Sequence, residues 1–111
     1  MSDDNSKAIA KLNDDFRASI RPGQHFYMTQ GINALPTETK LEIIGLVQTF
    51  NNFTPDNDPY GEHDFGAFNA KGERIFWKID YYDKTMQHGS EDPTDPEQTT
   101  RVLTVMLANE Y

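Results

Sequence analysis

The sequence predicts an α+β domain, a small antiparallel sheet of about three strands packed on one face by three helices in the order α-β-α-β-β-α. Three observations carry that expectation. Ile9, Leu12, Phe16 and Ile20 recur at the spacing of a helix face, whereas Ile75, Trp77 and Ile79 alternate with Phe76, Lys78 and Asp80 at the period of a strand. A chain of 111 residues has room for one modest core and not for two domains. Residues 1–5 read as a flexible polar leader and 6–111 as a single domain.

The first helix is expected from Ser6 to Ile20, ended by Arg21-Pro22-Gly23, because Pro disfavours helical geometry in the residue before it. His25-Phe26-Tyr27-Met28-Thr29 is short, aromatic and β-prone, and Gly31 closes it. Pro36 opens a second helix, whose broad apolar face is formed by Leu41, Ile43, Ile44, Leu46, Val47 and Phe50. Asn51 to Gly61 is rich in Asn, Asp and Pro and reads as an ordered loop, since Asx side chains bond nearby amides and each Pro fixes φ.

Two strands follow, Glu62 to Phe68 and Glu73 to Tyr82. A three-residue loop of Ala70, Lys71 and Gly72, with Gly72 left-handed, would place Phe65 opposite Trp77 and Ala67 opposite Ile75 on the core side. The same register puts Glu62 opposite Asp80, Asp64 opposite Lys78 and Gly66 opposite Phe76 on the other side. An aromatic such as Phe76 lying across a strand glycine is a familiar arrangement. Finally, Asp95-Pro96-Glu97-Gln98 supplies an N-cap acceptor, Pro at the first helical position and Gln at the capping-box position. A third helix is therefore expected from Pro96 almost to Tyr111, buried through Val102, Leu103, Met106 and Leu107.

Charge narrows the function. Eighteen acidic residues against ten Lys and Arg give a formal net charge of −8, which opposes the counterion release that drives nonspecific nucleic-acid binding. Direct nucleic-acid binding is not expected, and an acidic surface suits either a basic protein partner or plain solubility. The chain has no cysteine, so disulfides, thiolate metal sites and a Cys nucleophile are excluded, in keeping with a reducing cytoplasm. Met-Ser-Asp-Asp-Asn-Ser-Lys opens the chain without an apolar run, so neither a secretion signal nor a membrane span is expected there. Asn52-Phe53-Thr54 matches a glycosylation acceptor and is read as a chance match.

The segment 56–83 holds the single Trp and a dense mixture of aromatic and acidic residues. Asp56-x-Asp58-x-x-Gly61 begins like a calcium loop but fails at Tyr60 and at Ala67, where a bidentate Glu is needed, and Pro59 stiffens it. An Asx-capped turn is the better reading. Asp64-Phe65-Gly66 copies three letters of a kinase motif without its companions and carries nothing.

In the expected register Glu62, Asp64, Lys78 and Asp80 share one face. Three carboxylates there could hold Mg²⁺ or Mn²⁺ for hydrolysis, with Lys78 stabilising developing charge, or could raise one carboxyl's pKa for use as a general acid. His63 would point the other way. The plainer reading is a half-exposed sheet face on which Asp64 and Lys78 form an ordinary cross-strand pair, and no metal or cofactor is then required. His25 and His88 read as surface residues. Tyr60, Phe68, Phe76, Tyr81 and Tyr82 exceed what one small core face needs, which suggests a recognition surface. Its expected members are Tyr60, Glu62, Phe76, Asp80 and Tyr82.

The runs Phe53 to Phe68 and Gly72 to Asp83, with Thr99-Thr100-Arg101-Val102-Leu103-Thr104, Glu110-Tyr111 and more loosely Ile9 to Arg17, resemble a small proteobacterial family known as domain of unknown function 3768. The resemblance covers nearly the whole chain and carries over no catalytic residue. Members of that family look like cargo of plasmids, phages and integrative elements, which implies accessory genes that oppose host defences. The reading that joins these strands is a small acidic non-catalytic binding protein encoded on a mobile element. It would inhibit a host defence nuclease of the restriction or CRISPR kind. The alternative is a small metal-dependent hydrolase using the carboxylate cluster.

Overall fold

The computed structural model describes residues 3–20 and 25–111. It is an α+β fold with helix α1 (Asp3–Ala18), strand β1 (Phe26–Met28), a single-turn helix α2 (Gln30–Asn33), helix α3 (Thr37–Thr49) and strands β2 (Phe65–Ala70), β3 (Glu73–Tyr82) and β4 (Thr100–Leu107). A 3-10 turn, Ala108–Glu110, follows β4. The four strands form one mixed sheet in the order β1-β4-β3-β2, with β1 parallel to β4 and the other neighbours antiparallel.

Helix α1 begins earlier than expected, at Asp3; Met1 and Ser2 lie outside the described residues. So does the Arg21-Pro22-Gly23 stop signal. Helix α3 starts directly after Pro36, as its fixed φ favours. Its buried residues are Thr39, Ile43 and Val47, while Leu41 points outward and is 63% exposed. The expected apolar face was therefore drawn too wide.

The largest correction concerns the third helix, which is a strand. Asp95 does accept from the Glu97 amide (2.9 Å) and the Gln98 side chain (2.8 Å), but the cap closes one turn only. Thr100, Val102, Thr104 and Val105 are β-branched and resist helical χ1 restriction. As β4 they occupy an interior position between β1 and β3, buried at Arg101, Val102, Leu103, Val105 and Met106. Burial on both sides erases the period of two and leaves apolar spacings that imitate a helix stripe.

The hairpin register is also shifted by one residue. Lys71 (φ 52°) and Gly72 (φ 81°) are both left-handed, which makes a two-residue turn of the kind whose twist matches the flanking strands. Because Lys71 adopts this region, the loop loses a residue. Gly66 then faces Trp77, Ala67 faces Phe76 and Phe65 faces Lys78. A Cβ on residue 66 would lie 2.3 Å from Trp77 Nε1, so Gly66 exists for the indole and not for Phe76. One step on, the Ile79 amide donates to the Asp64 carbonyl (2.9 Å). Neither the Asp64–Lys78 nor the Glu62–Asp80 pairing occurs.

Ile75, Trp77 and Ile79 are buried beneath the helices, as alternation along β3 predicts, together with Leu103, Val105, Phe26, Ile32, Ile43 and Val47. No helix among the described residues is long and apolar enough to cross a membrane.

Candidate functional site

The two faces of the sheet carry different chemistry. On the covered side, a polar knot joins α1, the loop 51–64 and the ends of β3 and β4. Asn13, fully buried, donates to the Glu62 carbonyl and to the Tyr81 hydroxyl, each at 2.9 Å, and accepts from Arg101 Nε at 2.6 Å. Tyr81 passes its own proton toward Glu62 Oε1 (2.9 Å). Burial, chiefly, pushes the Tyr81 phenol up from its usual range, so it stays protonated and acts as a donor.

Arg17 forms the second half of the knot. Its guanidinium lies 4.8 Å from the Trp77 ring, donates to the Val47 and Phe50 carbonyls at 2.8 Å, and meets Asp14 at 2.8 Å. The carbonyls belong to the end of α3, where intrahelical donors run out. Asp14 also accepts from His63 Nδ1, 3.0 Å from each oxygen. The His63 ring stacks on Phe53 at 3.9 Å with the planes 2° apart, and its backbone is left-handed (φ 57°). Asp58 holds the bend by accepting from the Glu62 and His63 amides (3.1 and 3.2 Å), which is the Asx-capped turn read from the sequence. Two open depressions of about 400 Å³ and 440 Å³ meet at Gly61 and His63. A carboxylate on Nδ1 is how a general-base histidine is oriented. Here the other ring nitrogen lies 3.8 Å from Asp58 Oδ2, and the ring is packed as a structural element.

The other side presents the half-buried Phe76, Lys78, Asp80 and Tyr82 from β3, which pair with Met106, Thr104, Val102 and Thr100 of β4, Met106 and Val102 being buried. Phe65 joins them from β2 through its pairing with Lys78. Phe65, Phe76 and Tyr111 form an aromatic cluster with centroids 5.3, 5.7 and 6.2 Å apart, and Tyr111 is 77% exposed. Beside it Lys78 Nζ lies 2.6 Å from Asp80, and that bond raises the Lys78 pKa. Tyr27, from β1, is also exposed.

Of the recognition residues expected from sequence, Phe76, Asp80 and Tyr82 share the open face. Glu62 is tied to Tyr81 on the covered side, and Tyr60 projects from the loop, 79% exposed. The expected carboxylate face of Glu62, Asp64 and Asp80 is thereby divided, because the one-residue shift separates Asp64 from Lys78 and Asp80. Asp64 is half-buried, and burial, then the Glu62 charge, raise its pKa. Among the described residues, no group of three or more His, Asp or Glu converges as a metal site. Sequence reasoning missed Asn13, Asp14, Arg17 and Arg101. Helical spacing does place Asn13 and Arg17 one turn apart, beside the apolar stripe, which is the signal that could have marked them.

An acidic α+β domain with one helix-covered and one open, aromatic sheet face is the class that fold and site define. Residues 28–110 match the family described as protein of unknown function (DUF3768), and the chain belongs to that family. No curated protein and no solved structure matches it.

Proposed function

We propose that the protein is a non-catalytic binding protein that engages a basic protein surface through the open face of its sheet. The observation that carries this reading is the Phe65, Phe76 and Tyr111 cluster on the sheet face opposite Trp77, with Tyr111 77% exposed. Aromatic rings held by a rigid sheet offer contact area at low entropic cost, and Tyr is favoured at interfaces. A net charge of −8 steers a basic partner and repels nucleic acid. The chemistry fits the basic channel of a nucleic-acid-processing enzyme in the cytoplasm. The family resemblance, with its mobile-element associations, narrows the choice to host defence nucleases of the restriction or CRISPR kind.

Cleavage assays with purified restriction and CRISPR nucleases, with and without the protein, test the reading. Inhibition is expected, and Phe65→Ala with Phe76→Ala should relieve it by speeding dissociation. Inhibition unchanged by these substitutions in a folded protein would remove the open face as the interface. No inhibition of any nuclease would remove the defence assignment.

A further inference from the structure

The sheet has two edges of unequal character. Strand β1 is short, Phe26–Met28, whereas β2 runs Phe65–Ala70 with the sequence Phe-Gly-Ala-Phe-Asn-Ala, free of charge and proline. Natural edge strands are normally blunted by Lys, Pro or a bulge, because their outward amides and carbonyls template the addition of another strand. The Ile79 amide bonds the Asp64 carbonyl, so by antiparallel alternation Gly66 and Phe68 also face β3, and Phe65, Ala67 and Asn69 turn their backbone groups outward. Among the described residues, no backbone group outside the β2–β3 ladder bonds Phe65 to Ala70.

We propose that β2 is a self-pairing edge: two copies of this chain join antiparallel about a two-fold axis at Ala67, forming one continuous eight-stranded sheet. Charge favours a second copy as the occupant. One end of β2 carries Glu62 and Asp64; the other carries Lys71 and Arg74, with Glu73 between them. A two-fold axis at Ala67 sets Phe65 against Asn69 and His63 against Lys71 of the other copy. The basic hairpin tip of each chain thus lies beside the acidic end of its mate. The uncharged middle is where two chains of charge −8 approach with least repulsion. Isologous pairing also sets the two aromatic clusters on the same side of the joined sheet.

Sedimentation equilibrium and a cysteine trap test this. The wild type should be dimeric, and Ala67→Lys, which sets two like charges on the axis, should raise the dimer dissociation constant on the order of 100-fold. Ala67→Pro should do the same, since it removes an outward amide and no ladder bond. Ala67→Cys introduces the single thiol of a cysteine-free chain. Facing Cα atoms of a hydrogen-bonded antiparallel pair are about 5.5 Å apart, within disulfide reach, so it should cross-link under mild oxidation while Tyr60→Cys does not. If Ala67→Pro unfolds, the Lys and Cys variants decide. A wild type that is monomeric at high concentration overturns the proposal, as does a dimer indifferent to Ala67→Lys and not trapped by Ala67→Cys. A monomer that still inhibits a nuclease would sink self-pairing and leave the recognition reading standing.

Discussion

The two sides of β3 divide core from surface within a single strand. Ile75, Trp77 and Ile79 are buried under the helices, and Trp77 has no exposed surface, while Phe76, Lys78 and Asp80 one residue away are only half-buried. Trp77 is boxed by Phe50 and Phe53 at 5.6 and 6.1 Å and by Arg17 at 4.8 Å. Phe76 meets the rings of Phe65 and Tyr111 on the opposite face. Period-two alternation therefore assigns the fold to odd positions and the surface chemistry to even ones. The lesson is that substitutions on the two sides should separate cleanly in what they affect.

The largest effect expected is at Trp77. Trp77→Ala should cost roughly 3 to 5 kcal/mol in urea unfolding, a large fraction of the stability of a domain this size. Phe76→Ala, on a half-buried ring, should cost about 1 to 2 kcal/mol. Equal losses at the two positions would break the division.

Gly66 sharpens the same contrast from the neighbouring strand. Gly66→Ala sets a methyl 2.3 Å from Trp77 Nε1, and the indole, pinned from three directions, cannot yield. A loss of about 1 to 3 kcal/mol is expected. Gly45→Ala on α3 meets nothing within 4 Å and should stabilise by roughly 0.5 to 1 kcal/mol through helix propensity. Matching unfolding curves for the two variants would show that Gly66 is not reserved for the indole.

Much of this division was legible in the residues, and its failures share a cause. Strand β3 follows from alternation, α3 from Pro36, and the Asp58 turn from Asx chemistry, because each is specified by contacts near in sequence. Strand β4 was misread because its partners, β1 and β3, are remote, and burial on both sides removed the alternation. The register failed on one torsion angle, that of Lys71, a residue with no intrinsic preference for positive φ. That single residue carried Asp64 away from Lys78 and dissolved the expected carboxylate face. The polar knot depends on long-range bonds such as Asn13 to Arg101, 88 residues apart, which no local pattern encodes.

Asp64 tests the covered side through pH. Burial and the Glu62 charge raise its folded-state pKa above the unfolded value, so in that interval the folded chain holds more protons than the unfolded one. Stability then falls as pH rises through the interval, and the full penalty is present above it. Asp64→Asn should be more stable than wild type at pH 7, with the advantage vanishing in acid below the unfolded carboxylate value. Glu110 should act oppositely. The Thr29 hydroxyl, then the Leu107 and Gly31 amides, lower its pKa, so its contribution is present above the unfolded value and is lost as pH falls through the folded one. Urea midpoints measured from pH 3 to 7 check both, and an Asp64→Asn advantage that grows toward acid would contradict the assignment.

The smallest effect belongs to the open face. Lys78 and Asp80 lie 2.6 Å apart with side chains 36% and 37% exposed, two positions apart on one strand and therefore on one side of the sheet. Water screens such a pair, and holding both side chains in one geometry costs entropy. A double-mutant cycle with Lys78→Met and Asp80→Ala should return a coupling of about 0.2 to 1 kcal/mol, weakening with added salt. Asp64→Ala combined with Lys78→Met should show almost no coupling, because the hairpin register separates them. A coupling for Asp64 and Lys78 that exceeds that of Lys78 and Asp80 would restore the three-residue loop, exchange the two faces of β2, and bring Phe65 under the helices in place of Gly66.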